Sequence, residues 1–270
     1  MADPIEPRRE RLARFLRQRG ELGVAAWILE DLTAEAVERA VQGARAGDPG
    51  PPAALRRIPR PEGAAAPGPI APAPGGDRPS AGPGELPTDY DELEGEARNC
   101  TRCRLCEGRT QVVFSDGSRQ ARVMVVGEAP GANEDRTGLP FVGPAGKLLD
   151  LLLASVDLSR DESVYICNVI KCRPPQNRNP RADEIEMCAP YLHRQIELVQ
   201  PEVILAVGTF AGKLLSGLDR ALGKLRGEVH SYRGTPLVVT YHPAALLRNS
   251  GWTRPTWEDL QLLRGVLDGG

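Results

Sequence analysis

The chain has 270 residues, enough for one sizeable core with an appendage, and 41% of them are hydrophobic, yet the apolar runs able to build a core all lie after about Asp89. A formal net charge of −2 provides no global attraction to nucleic acid, so any such binding has to come from a local basic face. No run approaches the roughly 18 to 20 apolar residues that span a bilayer and no charged start with an apolar stretch marks secretion, so a soluble cytoplasmic protein is expected.

In chain order, Pro7 to Arg45 carries a helical pattern, with Leu12, Phe15, Leu16, Leu22, Ala25, Ile28 and Leu29 at mixed three- and four-residue spacings. Thr33 is a candidate cap for a second short helix, with Glu35 in its first turn, but Ala36 stands where a full capping box needs Glu or Gln. Residues 1–46 are expected to form a helical arm of one or two helices, with a marginal helix in a mostly disordered arm as the alternative. Residues 47–88 are rich in Pro, Gly and Ala, with almost no aromatic or β-branched side chains, and are expected to form a flexible linker. Residues 89–270 are expected to fold as one domain.

Beyond the linker, strand and helix patterns alternate. Leu93 to Arg98 reads as a helix leading into a group of cysteines. Strand candidates are Val123 to Val126, Val164 to Val169, Val203 to Val207 and Leu237 to Tyr241. Helix candidates are Pro144 to Ala154, Ala182 to Leu198, Phe210 to Leu215 and Pro255 to Leu267. Short continuous apolar strands alternating with helices imply a mainly parallel four-stranded sheet covered by helices on both faces. Ligands of such sheets bind beyond the carboxyl ends of the strands. Three candidate strand ends converge there: Gly127 to Gly131, Asn168 to Lys171, and His242 with Pro243.

The first of these ends carries the most chemistry. In RVMVVGEAPGANEDRTGLPFVG, Arg122 to Gly143, a buried strand runs into a loop where Gly127 and Gly131 permit close backbone approach and Pro130 fixes the turn. Glu128 places a carboxylate in that loop, Glu134 and Asp135 follow, and Phe141 offers a flat face for stacking, worth roughly 1 to 3 kcal/mol per base. Asn168 closes an apolar strand where an amide has no hydrophobic reason to be, and it can read a paired donor and acceptor edge. His242, at another strand end and followed by Pro243 and a short helix expected to carry Arg248, suits donation to an oxygen that gains negative charge. His193 and His230 lack such a setting.

The six cysteines fall at 100, 103, 106, 167, 172 and 188. Close-set cysteines in a cytosolic chain read as metal or cluster ligands rather than disulfides. Cys100, Cys103, Cys172 and Cys188 can supply four thiolates, which suits either zinc or an iron–sulfur cluster, and Cys106 and Cys167 leave the ligand choice open on spacing. Between Lys171 and Arg181 the loop KCRPPQNRNPR flanks one of these ligands; if Cys172 holds a cluster, the braced loop is expected to face phosphates, with a simple solvated loop as the competing reading.

Together these residues resemble the family 4 uracil-DNA glycosylases, the iron–sulfur branch of the uracil glycosylase superfamily. The match covers roughly Asn99 to Leu267 and rests on GEAPG with NEDRTGLPFVG, NVIKCRPPQNR and YHPAALLRN, in family order. The resemblance implies a three-layer α/β/α sandwich and a [4Fe-4S] cluster on Cys100, Cys103, Cys172 and Cys188. It sets uracil against Glu128, Ala129 and Pro130, stacked on Phe141, with Asn168 on its polar edge and His242 near O2. On residue chemistry, Glu128, which is expected to position the water or the sugar, and His242, suited to the negative charge on the ring, are the catalytic candidates. In another branch an aspartate stands at the position of Ala129, so that residue cannot act here as a base, and Glu134 or Asp135 are substitutes. No insertion carrying a covalent histidine appears near Cys172, so turnover is expected. The implied partner is uracil-containing DNA, single- or double-stranded, acted on by a monomer, with the N-terminal arm tethering a protein partner or broadening DNA contact. The competing reading is a non-catalytic zinc or iron–sulfur nucleic-acid-binding module with a vestigial pocket.

Overall fold

The computed structural model describes residues 86–269. The expected arm and all but the last residues of the expected linker lie outside the described residues. The strands are β1 (Asp116–Gly117), β2 (Val123–Gly127), β3 (Val164–Asn168), β4 (Val203–Val207), β5 (Val229–Tyr232) and β6 (Thr235–Thr240). The helices are α1 (Tyr90–Arg98), α2 (Ala132–Thr137), α3 (Pro144–Ala154), α4 (Ala182–Val199), α5 (Thr209–Ser216), α6 (Leu222–Leu225), α7 (Pro243–Leu246) and α8 (Thr253–Leu267).

One sheet runs in the order β1-β3-β2-β4-β6-β5. Its four central strands are parallel, and β1 and β5 close the edges in antiparallel register. Every residue of β2, β3 and β4 is buried, as continuous apolar strands covered on both faces require. Their side chains alternate between two cores. Val123, Val125, Val164, Ile166, Val203 and Leu205 pack with Leu149 and Leu153 of α3 and with Leu260 and Leu263 of α8. Met124, Val126, Tyr165, Cys167, Ile204 and Ala206 pack with Leu93 of α1, Leu192 of α4 and Ala211 of α5. Helices on both faces make the expected three-layer sandwich. Each large aliphatic side chain so buried contributes about 1.5 to 3 kcal/mol.

The sheet has six strands where four were expected. The four central strands fall on the four candidates; β1 is two residues long and β5 is largely exposed, so neither leaves an apolar run in the sequence. The helix α2 was also not anticipated. Its sequence, ANEDRT, has one buried side chain, Asp135, and it starts because Glu134 reaches back to the amide of Gly131 at 3.1 Å. Arg248 lies in the turn beyond α7 rather than on that helix.

Register brings the functional loops together. Gly127 stands opposite Asn168 in the parallel β2–β3 pair. The pairing continues past the strand ends, since Val169 N donates to Gly127 O at 2.9 Å and Ile170 N to Glu128 O at 3.2 Å. On the other side of β2, β4 and β6 end at Gly208 and His242, and a side chain on Gly208, whose φ is +99°, would run against the His242 ring.

Candidate active site

A cavity of about 390 Å³ opens at the carboxyl ends of β2, β3 and β6. Its lining contains all six side chains named from the sequence: Glu128, Ala129, Pro130, Phe141, Asn168 and His242. Asn177 and Asn179, from the loop after Cys172, and Arg248 join them.

Asn168 is 1% exposed, and its Oδ1 has no hydrogen-bond partner. A buried, unpaired amide oxygen is costly, about 1 to 3 kcal/mol, so a ligand donor at this point recovers an interaction that the fold leaves open. Glycine at 127 is what permits the arrangement: a Cβ there would sit 2.4 Å from Asn168 Oδ1 and 2.6 Å from the Phe141 ring.

Phe141 adopts φ +54°, a strained conformation for a non-glycine residue. Two side chains hold it. Arg160 donates from Nη1 to Pro140 O at 2.9 Å and from Nη2 to Phe141 O at 2.8 Å, and is itself fixed by Asp116 and Asp150. Glu134 Oε1 accepts from Val142 N at 3.0 Å and Gly143 N at 2.9 Å, while Oε2 accepts from Gly131 N. Both oxygens of Glu134 are therefore engaged in shaping the loop. Asp135 is buried on the other side of α2, where it accepts from Thr110 N at 2.9 Å, and it does not line the cavity. Arg160 was missed in the sequence, since nothing in a loop arginine 19 residues after Phe141 marks it as a clamp.

His242 stacks on Phe141, with ring centroids 5.5 Å apart and planes 26° from parallel. Burial, reinforced by Arg248, lowers its pKa from 6.5 to about 4 against an opposing pull from Glu134, so the ring is neutral near pH 7. Ala244 N donates to Nδ1 at 3.1 Å. A neutral imidazole that accepts at Nδ1 carries its proton on Nε2, which makes Nε2 the donor available to a ligand. Glu128 is half-buried, and desolvation raises the pKa of its carboxyl.

Behind β3, Cys100, Cys103, Cys172 and Cys188 line a second, smaller pocket together with Cys106. Two donors face its sulfurs: Arg109 Nη1 lies 3.2 Å from Cys172 Sγ, and the amide of Lys171 lies 3.3 Å from Cys188 Sγ. Arg102, Arg109 and Lys171 add positive charge to the lining. Burial pushes the thiol of Cys103 up to about 11 and that of Cys188 to about 12, so their thiolates need a strong counter-charge. Thiols from three chain segments with cations and N–H donors around them fit a cluster bound as thiolates. Among the described residues, no three His, Cys, Asp or Glu come together as a ready metal site. Cys167 lies in the sheet core.

The loop from Lys171 to Arg181 departs from the phosphate-facing expectation at two residues. Lys171 is 2% exposed, and Arg178 is committed to the buried Glu184 carboxylate, with contacts of 2.8 and 2.6 Å. No described helix is long and apolar enough to cross a membrane.

The model of the Uracil DNA glycosylase superfamily matches residues 114–261. Three proteins named type-4 uracil-DNA glycosylase are similar to this chain. That of Sulfurisphaera tokodaii is 42% identical over 183 residues, 64% of this chain and 83% of the relative. That of Thermotoga maritima is 46% identical over 154 residues, 56% and 80% of the two chains. That of Pyrobaculum aerophilum is 40% identical over 185 residues, 66% and 94%. The reading as a non-catalytic binding module is not favoured.

Proposed function

This chain belongs to the uracil DNA glycosylase superfamily, and from that membership we propose that it is a uracil-DNA glycosylase, a monofunctional hydrolase that cleaves the N-glycosidic bond of uracil in DNA and leaves an abasic site. Such a reaction opens base excision repair. The observation that carries the reading is the unpaired, buried Oδ1 of Asn168 beside Phe141 and the Nε2 donor of a neutral His242 in one cavity. A base cannot reach that cavity from within a duplex, so the nucleotide is flipped out of the stack. Uracil presents N3–H to the Asn168 oxygen, and its ring lies along Phe141.

As the glycosidic bond stretches, negative charge gathers on the uracil ring and positive charge on the sugar. The Nε2–H of His242 donates to O2 as that charge grows, a role worth about 10² to 10³ in rate. Glu128, kept as a carboxylate above its raised pKa, positions the water that adds at C1′ and faces the developing positive charge. The main chain of Ala129 and Pro130 completes the edge of the base pocket.

A [4Fe-4S] cluster would be held by Cys100, Cys103, Cys172 and Cys188, and would there tie the cysteine turn to the loop after β3. The N-terminal arm is proposed to engage a protein partner or additional DNA around a monomeric enzyme; deletion that leaves both repair interactions and activity intact would reject this. The test of the reaction is product identity. A purified wild-type chain should release free uracil from an oligonucleotide and leave a strand that breaks only after alkali. Strand cleavage without alkali, or release of a nucleotide, would reject the assignment.

A further inference from the structure

Lys171 is a buried cation that the reaction described above does not use. It is 2% exposed. Its Nζ donates to Asn168 O at 2.7 Å and to Gln195 Oε1 at 2.5 Å, and it faces the Phe114 ring at 5.9 Å. Gln195 Nε2 in turn donates to Tyr165 OH at 2.8 Å and to Phe114 O at 3.1 Å. Tyr165 OH lies 2.8 Å from Tyr90 OH, which lies 2.6 Å from Ser115 Oγ. An amide whose oxygen accepts from an ammonium must donate with its nitrogen, so the charge on Lys171 sets the direction of this chain of bonds. Every member of the chain other than Lys171 is neutral. Among the described residues, no carboxylate forms an ion pair with Lys171. Buried cations are paired, and an unpaired one is costly.

The thiol pocket can supply negative charge, since Lys171 favours the ionised form of the Cys188 thiol. Lys171 lines the thiol pocket, its own amide points at Cys188 Sγ, and Cys172 is its neighbour in the chain. On the other side, its ammonium holds the carbonyl of Asn168, whose side chain lines the base cavity. One residue thus bridges the two sites.

We propose that Lys171 is a positioning residue: its charge is matched by the cluster held at the thiols, and its ammonium fixes the strand end that carries Asn168, so that a filled thiol pocket sets the amide that reads uracil. This rests on the glycosylase and cluster readings given above. The role has two measurable sides, because a nearby positive charge favours the reduced form of a cluster, and because misplacing a binding group by about 1 Å can cost on the order of 10² in rate.

The experiment uses the full chain purified with its iron, as wild type, Lys171→Met and Lys171→Arg, reading iron content, cluster reduction potential, and kcat and KM for uracil release. Lys171→Met is expected to bind iron as wild type does, to shift the potential to more negative values, and to lose at least tenfold in kcat with KM changed less than twofold. Lys171→Arg should hold the potential near wild type and recover only part of kcat, since the charge remains but the fit to the Asn168 carbonyl does not. An iron-loaded Lys171→Met with wild-type potential, or one with wild-type kcat, would overturn the proposal. If Lys171→Met does not fold, Lys171→Arg decides: lowered kcat with iron and potential retained supports the role, and full kcat overturns it. A wild-type chain that contains iron but releases no uracil removes the glycosylase reading, one that releases uracil without iron removes the cluster reading, and either overturns this proposal with it.

Discussion

His242 gives the sharpest pH test of the chemistry. With a pKa lowered to about 4 by burial and Arg248, about 1 ring in 100 is protonated at pH 6, whereas an unperturbed histidine of pKa about 6.5 would be about three-quarters protonated. In the proposed mechanism the ring is a neutral donor through Nε2, and losing that donor should cost on the order of 10² to 10³ in the chemical step, or about 2.7 to 4 kcal/mol. Single-turnover uracil release from an oligonucleotide, measured from pH 4.5 to 9 for wild type and for His242→Ala, separates the cases. The variant should be slower by that factor at every pH from 6 to 9, with a parallel profile. If wild-type activity instead falls with a midpoint near pH 6.5 as pH rises, and that fall disappears in His242→Ala, the working form is the imidazolium and the neutral-donor mechanism is wrong. Protonation has a second consequence. Because the folded pKa lies below the unfolded one, the native state takes up its proton late, so this group contributes stability above about pH 6.5 that is lost as pH falls toward 4.

Glu128→Gln should remove the acidic limb of the pH–rate profile, because the carboxylate proposed to position the water is protonated as pH falls through a pKa raised above the ordinary glutamate value; a limb that persists in the variant would assign it to another group. Glu134→Ala leaves the amides of Gly131, Val142 and Gly143 without their acceptor, and a fall of about 2 to 4 kcal/mol in unfolding free energy by urea titration is expected, together with a loss in kcat. Lower kcat at unchanged stability would instead give Glu134 a direct part in the chemistry. Gly127→Ala drives a methyl group into Asn168 and Phe141 and should raise KM for uracil DNA or abolish turnover; wild-type kinetics would refute the close packing of those two side chains.

The central sheet was legible because its strands are short, wholly buried apolar runs, and a strand buried on both faces leaves that mark in sequence. The edge strands left none, since pairing along one side asks little of side chains. The lining of the cavity was legible for a different reason: Asn168, Phe141 and His242 are residue types that sit oddly at strand ends and in glycine loops. What escaped was the support. Arg160 and Glu134 act on backbone groups, and a carbonyl or amide awaiting a partner has no signature in the chain. Sequence shows the charge of Lys171 but not its burial, so within KCRPPQNRNPR it has the look of a phosphate-facing residue.

The most direct measurement is uracil release from a labelled single-stranded oligonucleotide carrying one uracil, by the wild-type chain beside an Asn168→Ala variant with the same iron content. Release by wild type that falls by on the order of 10² or more in the variant is expected, since the uracil edge would then face no amide. Equal rates for the two proteins, or no release by either, would contradict the assignment of this cavity as the site that reads and excises uracil.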